Sequence, residues 1–362
     1  MKGFTNYFKT LGHDAKRDYI GGSSLIVVFF AVLLLKNAGM LSRSQSSWLV
    51  PICAYIVMAI SLNLTVGVLG ELSLGHAGFM SVGAFSGIII SQSLVNLVPY
   101  PALRLVMAIV IGAICAGIAG FLIGIPVLRL RGDYLAIVTL AFGEIIKDLI
   151  TCLIVGADSR GLHFIFNVTG NKSAADLNLL DGGRVIIKGA QGATGTETIA
   201  TFTAGFLLIL VALLVILNLI RSRTGRAVLA IRDNRIAAES LGIPVTKYKM
   251  MAFVISAALA GAAGALYGLN YSNLLATKFD FNLSILVLVY VVLGGLGNIW
   301  GSIIAAAVLY ILPEALRAFS SYRMLIYAIV LTLVMLATNN DQLKLLLKKL
   351  IPVRKKGGDD LG

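Results

Sequence analysis

Charged side chains are scarce in this 362-residue sequence, at 13% against about 25% in an ordinary soluble domain. So few polar groups would leave a water-soluble globule of this length poorly covered. Cysteine is equally thin. Cys53, Cys115 and Cys152 lie in apolar stretches without CxxC spacing, which points away from a thiolate zinc site and from a disulfide framework. His13, His76 and His163 are too far apart and too unalike in context to gather around an ion, so no metal is expected. No glycine is followed directly by lysine, which excludes a Walker A loop, because that loop needs its lysine to hold phosphates. If ATP drives this protein, another subunit must hydrolyse it.

What the sequence has in abundance is apolar length. Hydrophobic residues make up 58% and the mean hydropathy is +0.91. A bilayer core about 30 Å thick needs roughly 20 apolar residues per helix, since unpaired backbone groups in hydrocarbon are costly. Runs of this kind lie near 20–36, 48–69, 72–92, 103–127, 134–156, 201–220, 250–271, 281–297, 299–316 and 322–338. The expected fold is therefore an all-α, polytopic transmembrane bundle of about ten spans. Residues 1–19 form a polar N-terminal tail, 20–338 the membrane domain and 339–362 a basic tail. The first apolar run lacks a small-residue cleavage site and reads as a retained span.

The net charge of +13 could in principle point to nucleic acid, but its distribution follows the loops. Connection 221–249 holds Arg221, Arg223, Arg226, Arg232, Arg235, Lys247 and Lys249 against Asp233 and Glu239. The tail adds Lys344, Lys348, Lys349, Arg354, Lys355 and Lys356, whereas loop 157–200 balances four basic with four acidic residues. By the positive-inside rule both chain ends and the 221–249 loop are expected in the cytoplasm and 157–200 outside.

Two spans are interrupted by glycine. In LNLTVGVLGELSLGHAGF, Gly67, Gly70, Gly75 and Gly78 surround Glu71 and His76; in VLGGLGNIWG, Gly294, Gly295, Gly297 and Gly301 recur. Broken helices persist in membranes only where protein covers the backbone or a cavity meets it, so these segments are the pathway candidates. The candidate residues are Asn63, Gly67, Gly70, Ser73, Gly75, His76, Gly78, Phe79, Gly294, Gly295, Gly297 and Asn298, together with Glu144 near the midplane of its span. For Glu144 the plain alternative is neutralisation by Lys147 one turn on, and for His76 a structural hydrogen bond. Glu71, Glu144 and Asp148 make a thin relay for proton-driven transport. AGIAGFLIG (116–124) and AGAAGALYG (260–268) share GxxGxxxG, a spacing that lets helix backbones approach closely.

Within 221–249, GRAVLAIRDNRIAAESLG reads as one helical unit, capped near Thr224 and ending at Gly242 with Pro244 beyond. Ala227, Val228, Ile231, Ala238 and Leu241 form its apolar face, and Arg232, Asp233, Arg235 and Glu239 its charged one. It is either an interfacial helix on anionic lipid or a docking helix for a soluble partner.

LNLTVGVLGELSLGHAGF (62–79), LRLRGDYLAIVTLAFGEIIK (128–147), TGRAVLAIRDNRIAAESLGI (224–243) and VLGGLGNIWGSIIAAA (292–307), taken in this order, resemble the permease subunits of branched-chain amino-acid ABC transporters. The RGDYLAIVTLAFGEIIK stretch is like the longer, M-type partner. The resemblance implies the ABC importer permease fold and a transport subunit, itself no enzyme, for leucine, isoleucine and valine. It implies an H-type permease, two ATP-binding subunits that carry ATP and Mg, and a periplasmic or lipid-anchored binding protein as partners, in the lipid of a bacterial inner membrane. It further implies ATPase coupling through Arg226, Asp233, Ala237, Ala238, Glu239 and Gly242, with Arg232 beside them, although AAES-LG departs from the usual EAA-and-glycine pattern. Neither nucleic acid nor a cofactor of the chain's own is expected. Urea, short amides or simple sugars are alternative solutes, and an ion-coupled secondary transporter is an alternative class.

Overall fold

A computed structural model describes residues 13–316, apart from 41, 96, 131, 159, 168–173, 178 and 181–182, and also 328, 329 and 332. The expected span 322–338 and the basic tail fall largely outside the described residues. Residues 1–307 form one compact unit; of the second, 308–362, mainly the end of one helix is described.

The helices are α1 (His13–Asn37), α2 (Arg43–Asn63), α3 (His76–Ser93), α4 (Pro101–Val127), α5 (Asp133–Thr151), α6 (Phe202–Arg221), α7 (Arg223–Asp233), α8 (Arg235–Ser240), α9 (Val245–Gly268), α10 (Phe281–Gly294) and α11 (Ile299–Ala315). Local chemistry sets their starts. Ser42 and Gln45 form a reciprocal capping box for α2, Pro101 opens α4 where no intrahelical N–H is needed, and Thr201 and Asp280 cap α6 and α10. Among the described residues, five stretches are long and apolar enough to cross a bilayer: Ser44–Val68, Pro101–Val127, Phe202–Arg221, Val245–Gly268 and Ala276–Gly294. Gly21–Asn37 and Ile299–Ala315 are shorter apolar helices.

At the centre, α3, α4 and α9 pack closely. Gly112 of α4 lies against Gly261 of α9, Gly120 against Ala257 and Gly124 against Met250, so ascending α4 residues meet descending α9 residues and the helices are antiparallel. The GxxGxxxG stretch of α4 thus packs on α9, whereas in that of α9 only Gly261 meets α4 and Gly264 and Gly268 meet α3. Helix α3 runs parallel to α9, from Phe79 beside Phe253 to Ala84 and Ile88 beside Gly268.

The helix expected to continue to residue 156 stops at Thr151, and the chain enters a strand. Strands β1 (Leu153–Asp158), β2 (Gly161–Phe166) and β3 (Arg184–Lys188) form an antiparallel sheet of order β2-β1-β3, which takes up the end of the expected span 134–156 and part of the loop 157–200. The apolar run through Ile154 and Val155 fits either a helix or a buried strand, and strand pairing decides it. This sheet end of the bundle is fastened at several points. Arg184 donates to Gln92 at 3.1 Å, Arg104 pairs with Glu197 at 2.7 Å, and Ala193 and Leu274 exchange backbone hydrogen bonds of 2.9 Å.

The unit 224–242 is two helices instead of one. Ser222 caps α7 in place of Thr224, and Asn234 leaves helical geometry at φ −154° to cap α8 through Ala237 N. This break rotates the second half. Val228, Ile231 and Ala238 are buried as expected, but Leu241 is 80% exposed, because the helical phase that aligned it with Ile231 ends at Asn234.

Candidate functional site

The first glycine break begins where α2 widens into a π-helical turn, Leu64–Val68. Leu69 N reaches Leu64 O and Glu71 N reaches Thr65 O, after which the chain stays non-helical until His76. Gly70 turns it with φ +79°. The second break is the corner between α10 and α11, where Gly295 and Gly297 take φ +92° and +78°, a region that costs an ordinary side chain roughly 1–2 kcal/mol.

These breaks lie against each other at the same end of the bundle as α7 and α8. The fully buried Asn63 side chain joins them, its Oδ1 accepting from Gly297 N at 2.8 Å and its Nδ2 donating to Ser302 Oγ at 2.8 Å. A Cβ on Gly67 would collide with both Asn63 Oδ1 and Gly297 N, so this contact requires glycine. Gly294 lies against Gly301 and Ser302, and Asn298 reaches back to Gly294 O at 3.4 Å. Arg232 of α7 enters the same corner: its Nη1 donates to Gly67 O at 3.2 Å, and its Cγ lies 2.7 Å from where a Cβ on Gly70 would stand. Beside it Lys249 of α9 pairs with Glu71. Leu69, Gly70, Glu71, Arg232, Asn234 and Lys249 line a cleft of 280 Å³ there.

The other candidate residues form a second group deeper in the bundle. Gly75 and Gly78 pack on Thr139 and Gly143 of α5. His76 Nε2 is 2.8 Å from Ser61 Oγ, whose own proton goes to Met58 O, so the ring donates. Phe79 stacks edge-on to Phe253. Glu144 pairs with Lys147 and accepts from Phe281 N at 3.0 Å, serving the exposed donor at the start of α10. Ser73 Oγ is buried with no hydrogen-bond partner. The structure therefore divides the candidates: Asn63, Gly67, Gly70, Gly294, Gly295, Gly297 and Asn298 meet at the corner, whereas Gly75, Gly78 and Glu144 gather at α5, His76 at α2 and Phe79 at α9.

On α7 and α8, Ile231, Ala238 and Val245 form a small core with Ile243 and Tyr248 packed on it. Outside this core stand Arg226, Asp233, Ala237, Glu239 and Gly242, with Glu239 held by Arg235 at 2.9 Å and Gly242 at φ +78° in open space. Two residues absent from the sequence-derived set, Ile236 and Lys249, belong here. Ile236 and Leu241 are each 80% exposed, and neither is covered by this chain. An isoleucine that the Asn234 cap turns outward could have signalled this.

Long apolar helices, two backbone breaks covered by protein and a charged helix pair at one end of the bundle fit a multi-pass membrane transport subunit. The chain belongs to the family described as "Branched-chain amino acid transport system / permease component", which it matches over residues 44–338. It is 35% identical over 326 residues to the high-affinity branched-chain amino acid transport system permease protein LivM of Salmonella typhimurium, covering 88% of this chain and 75% of that protein. LivM of Escherichia coli K12 gives the same figures. The probable branched-chain amino acid transport permease protein LivH of Methanocaldococcus jannaschii is 28% identical over 259 residues, covering 70% of this chain and 74% of that protein. No solved structure shows a significant match.

Proposed function

We propose that this chain is the M-type permease of an ATP-driven importer of leucine, isoleucine and valine, lining half of the solute pathway beside an H-type permease. The observation that carries the coupling half of this reading is the exposed pair Ile236 and Leu241, flanked by Glu239 and Gly242, at the bundle end where both breaks meet. An apolar pair exposed on a charged helix suits a cleft in a soluble partner. Here that partner is one of two ATP-binding subunits, which carry ATP and Mg. The α7–α8 end and both chain ends then lie in the cytoplasm of a bacterial inner membrane, and the sheet faces the binding protein that delivers the solute. ATP-driven closure of the partner pair shifts α7 and α8 and exchanges outside-open for inside-open states. The solute passes the glycine-broken segments unchanged.

Uptake of radiolabelled leucine by membranes holding the complete importer tests the solute, with isoleucine, valine, urea and sugars as competitors. Inhibition by the two branched-chain amino acids alone is expected; inhibition by urea or sugars instead refutes the solute assignment. Ile236→Glu with Leu241→Glu is expected to remove the ATPase from the purified complex. Full uptake by this chain alone in proteoliposomes would refute the whole reading.

A further inference from the structure

The geometry points to Arg232 as a positioning residue that ties the α7–α8 helix pair to the paired backbone breaks, so that the helix pair and the break corner move as one body. This rests on the reading that α7 and α8 receive the ATPase. A π-helical turn releases carbonyls from the ordinary ladder, and Gly67 O is one of them. Such an oxygen, covered by protein and without a backbone donor, needs another partner, and Arg232 Nη1 supplies it at 3.2 Å from a residue 165 positions away.

The guanidinium is itself fixed from behind. Arg232 Nε and Nη2 donate to Asp233 Oδ1 at 3.2 and 3.0 Å, a planar fork that lysine cannot copy. Its stem fills the space left by the missing side chain of Gly70. Across the corner, Gly67 lies against Gly297, and Asn63 holds Gly297 N and Ser302 Oγ. One side chain on α7 therefore grips the first break, and the first break grips the second. Arg232 also sits two residues before Asn234, where α7 hands over to α8. A push on the exposed face of α8 arrives at this joint.

The test uses the complete importer in proteoliposomes and reads solute moved per ATP hydrolysed, together with ATPase retained on purification. Arg232→Gln is expected to keep the ATPase bound and to lower solute per ATP at least tenfold. Arg232→Lys restores part of the ratio, and Arg223→Gln, on the exposed start of α7, leaves it unchanged. A ratio within twofold of wild type in Arg232→Gln overturns the inference, as does loss of the ATPase from that variant. If Ile236→Glu with Leu241→Glu keeps the ATPase bound, the docking reading fails instead. A measurement free of any change at Arg232 guards against misfolding. Spin labels at Ala230→Cys and Leu296→Cys, in a background without the native cysteines, are expected to keep their separation when ATP is trapped, while Ala230→Cys and Leu97→Cys change theirs. Equal changes in both pairs overturn the inference.

Discussion

Lys249 Nζ donates to Glu71 Oε1 between the first turn of α9 and the non-helical segment ahead of α3, with side chains only 7% and 15% exposed. Glu71 sits between Gly70 and Gly75 in sequence, so the pair anchors the middle of the first break to α9. Removing one partner would leave the other charged and buried. Glu71→Gln should lower the thermal unfolding midpoint in detergent, at a cost of about 3 kcal/mol, the low end for breaking a buried pair. Glu71→Met with Lys249→Met should recover most of that loss. A double variant no better than the single one would refute this account.

Gly67 and Gly22 make a matched test of close approach. Any Cβ at Gly67 meets the opposing break, whereas one at Gly22 meets nothing within 4 Å. Gly67→Ala should reduce uptake more than tenfold, since separating the breaks also costs the Asn63 hydrogen bonds. Gly22→Ala should transport normally. Equal uptake by both variants would show that the breaks need not touch.

Glu144 separates a packing role from a solute role. The amide of Glu144→Gln can still accept from Phe281 N, but it loses the ion pair with Lys147. Uptake within about twofold of wild type is expected for Glu144→Gln. Glu144→Ala leaves the donor at the start of α10 unmet and should cost about 1–3 kcal/mol in stability. A collapse of uptake in the glutamine variant with stability intact would instead place the charge in the solute path.

The turn between β1 and β2 should respond to acid. Burial of the Asp158 carboxyl opposes its ionisation, but hydrogen bonds from Arg160 N, His163 and Leu180 N outweigh this and hold it below the usual carboxylate range. Because its folded value lies below the unfolded one, its contribution is complete above the ordinary range and is lost as pH falls through the folded value. Hydrogen exchange at Arg160 and Gly161 should therefore accelerate at acid pH beyond the intrinsic trend. Asp158→Asn should flatten that response, and a wild-type protection that stays level through the carboxylate range would contradict it.

Much of the fold was written in local composition. Apolar runs mark α4, α6 and α9 to within a few residues, and clustered glycines mark where α2 and α10 lose their ladders. The GxxGxxxG spacing marks α4 and α9 as closely packed helices because small residues carry that information by themselves, but not that Gly264 and Gly268 would meet α3. What stayed hidden depends on partners distant in sequence. Asn63 and Gly297 stand 234 positions apart, and nothing around either residue names the other. The sheet was hidden because Leu153–Asp158 continues an apolar run and becomes a strand only through pairing with Phe166 and Lys188. Asn234 was the misread signal: a residue that accepts from Ala237 N while taking extended geometry ends one helix and starts another, and this turns Ile236 and Leu241 outward.

The fastenings at the sheet end carry a mechanical implication. Arg184 with Gln92, Arg104 with Glu197, and Ala193 with Leu274 join that end of α3, α4 and the α9–α10 connection to the β1–α6 region. Across the break corner opposite, the ties described between distant segments are the side chains of Asn63, Arg232 and Lys249. Helix α9 has 24 residues and is roughly 36 Å long at 1.5 Å per residue, so a tilt of about 5° around its fastened end sweeps the other end by about 3 Å. That is the width of one hydrogen bond. Stiffness at one extremity thus makes the other a lever arm, on which a small rotation, passed through Lys249 and Glu71, is enough to displace the whole break corner.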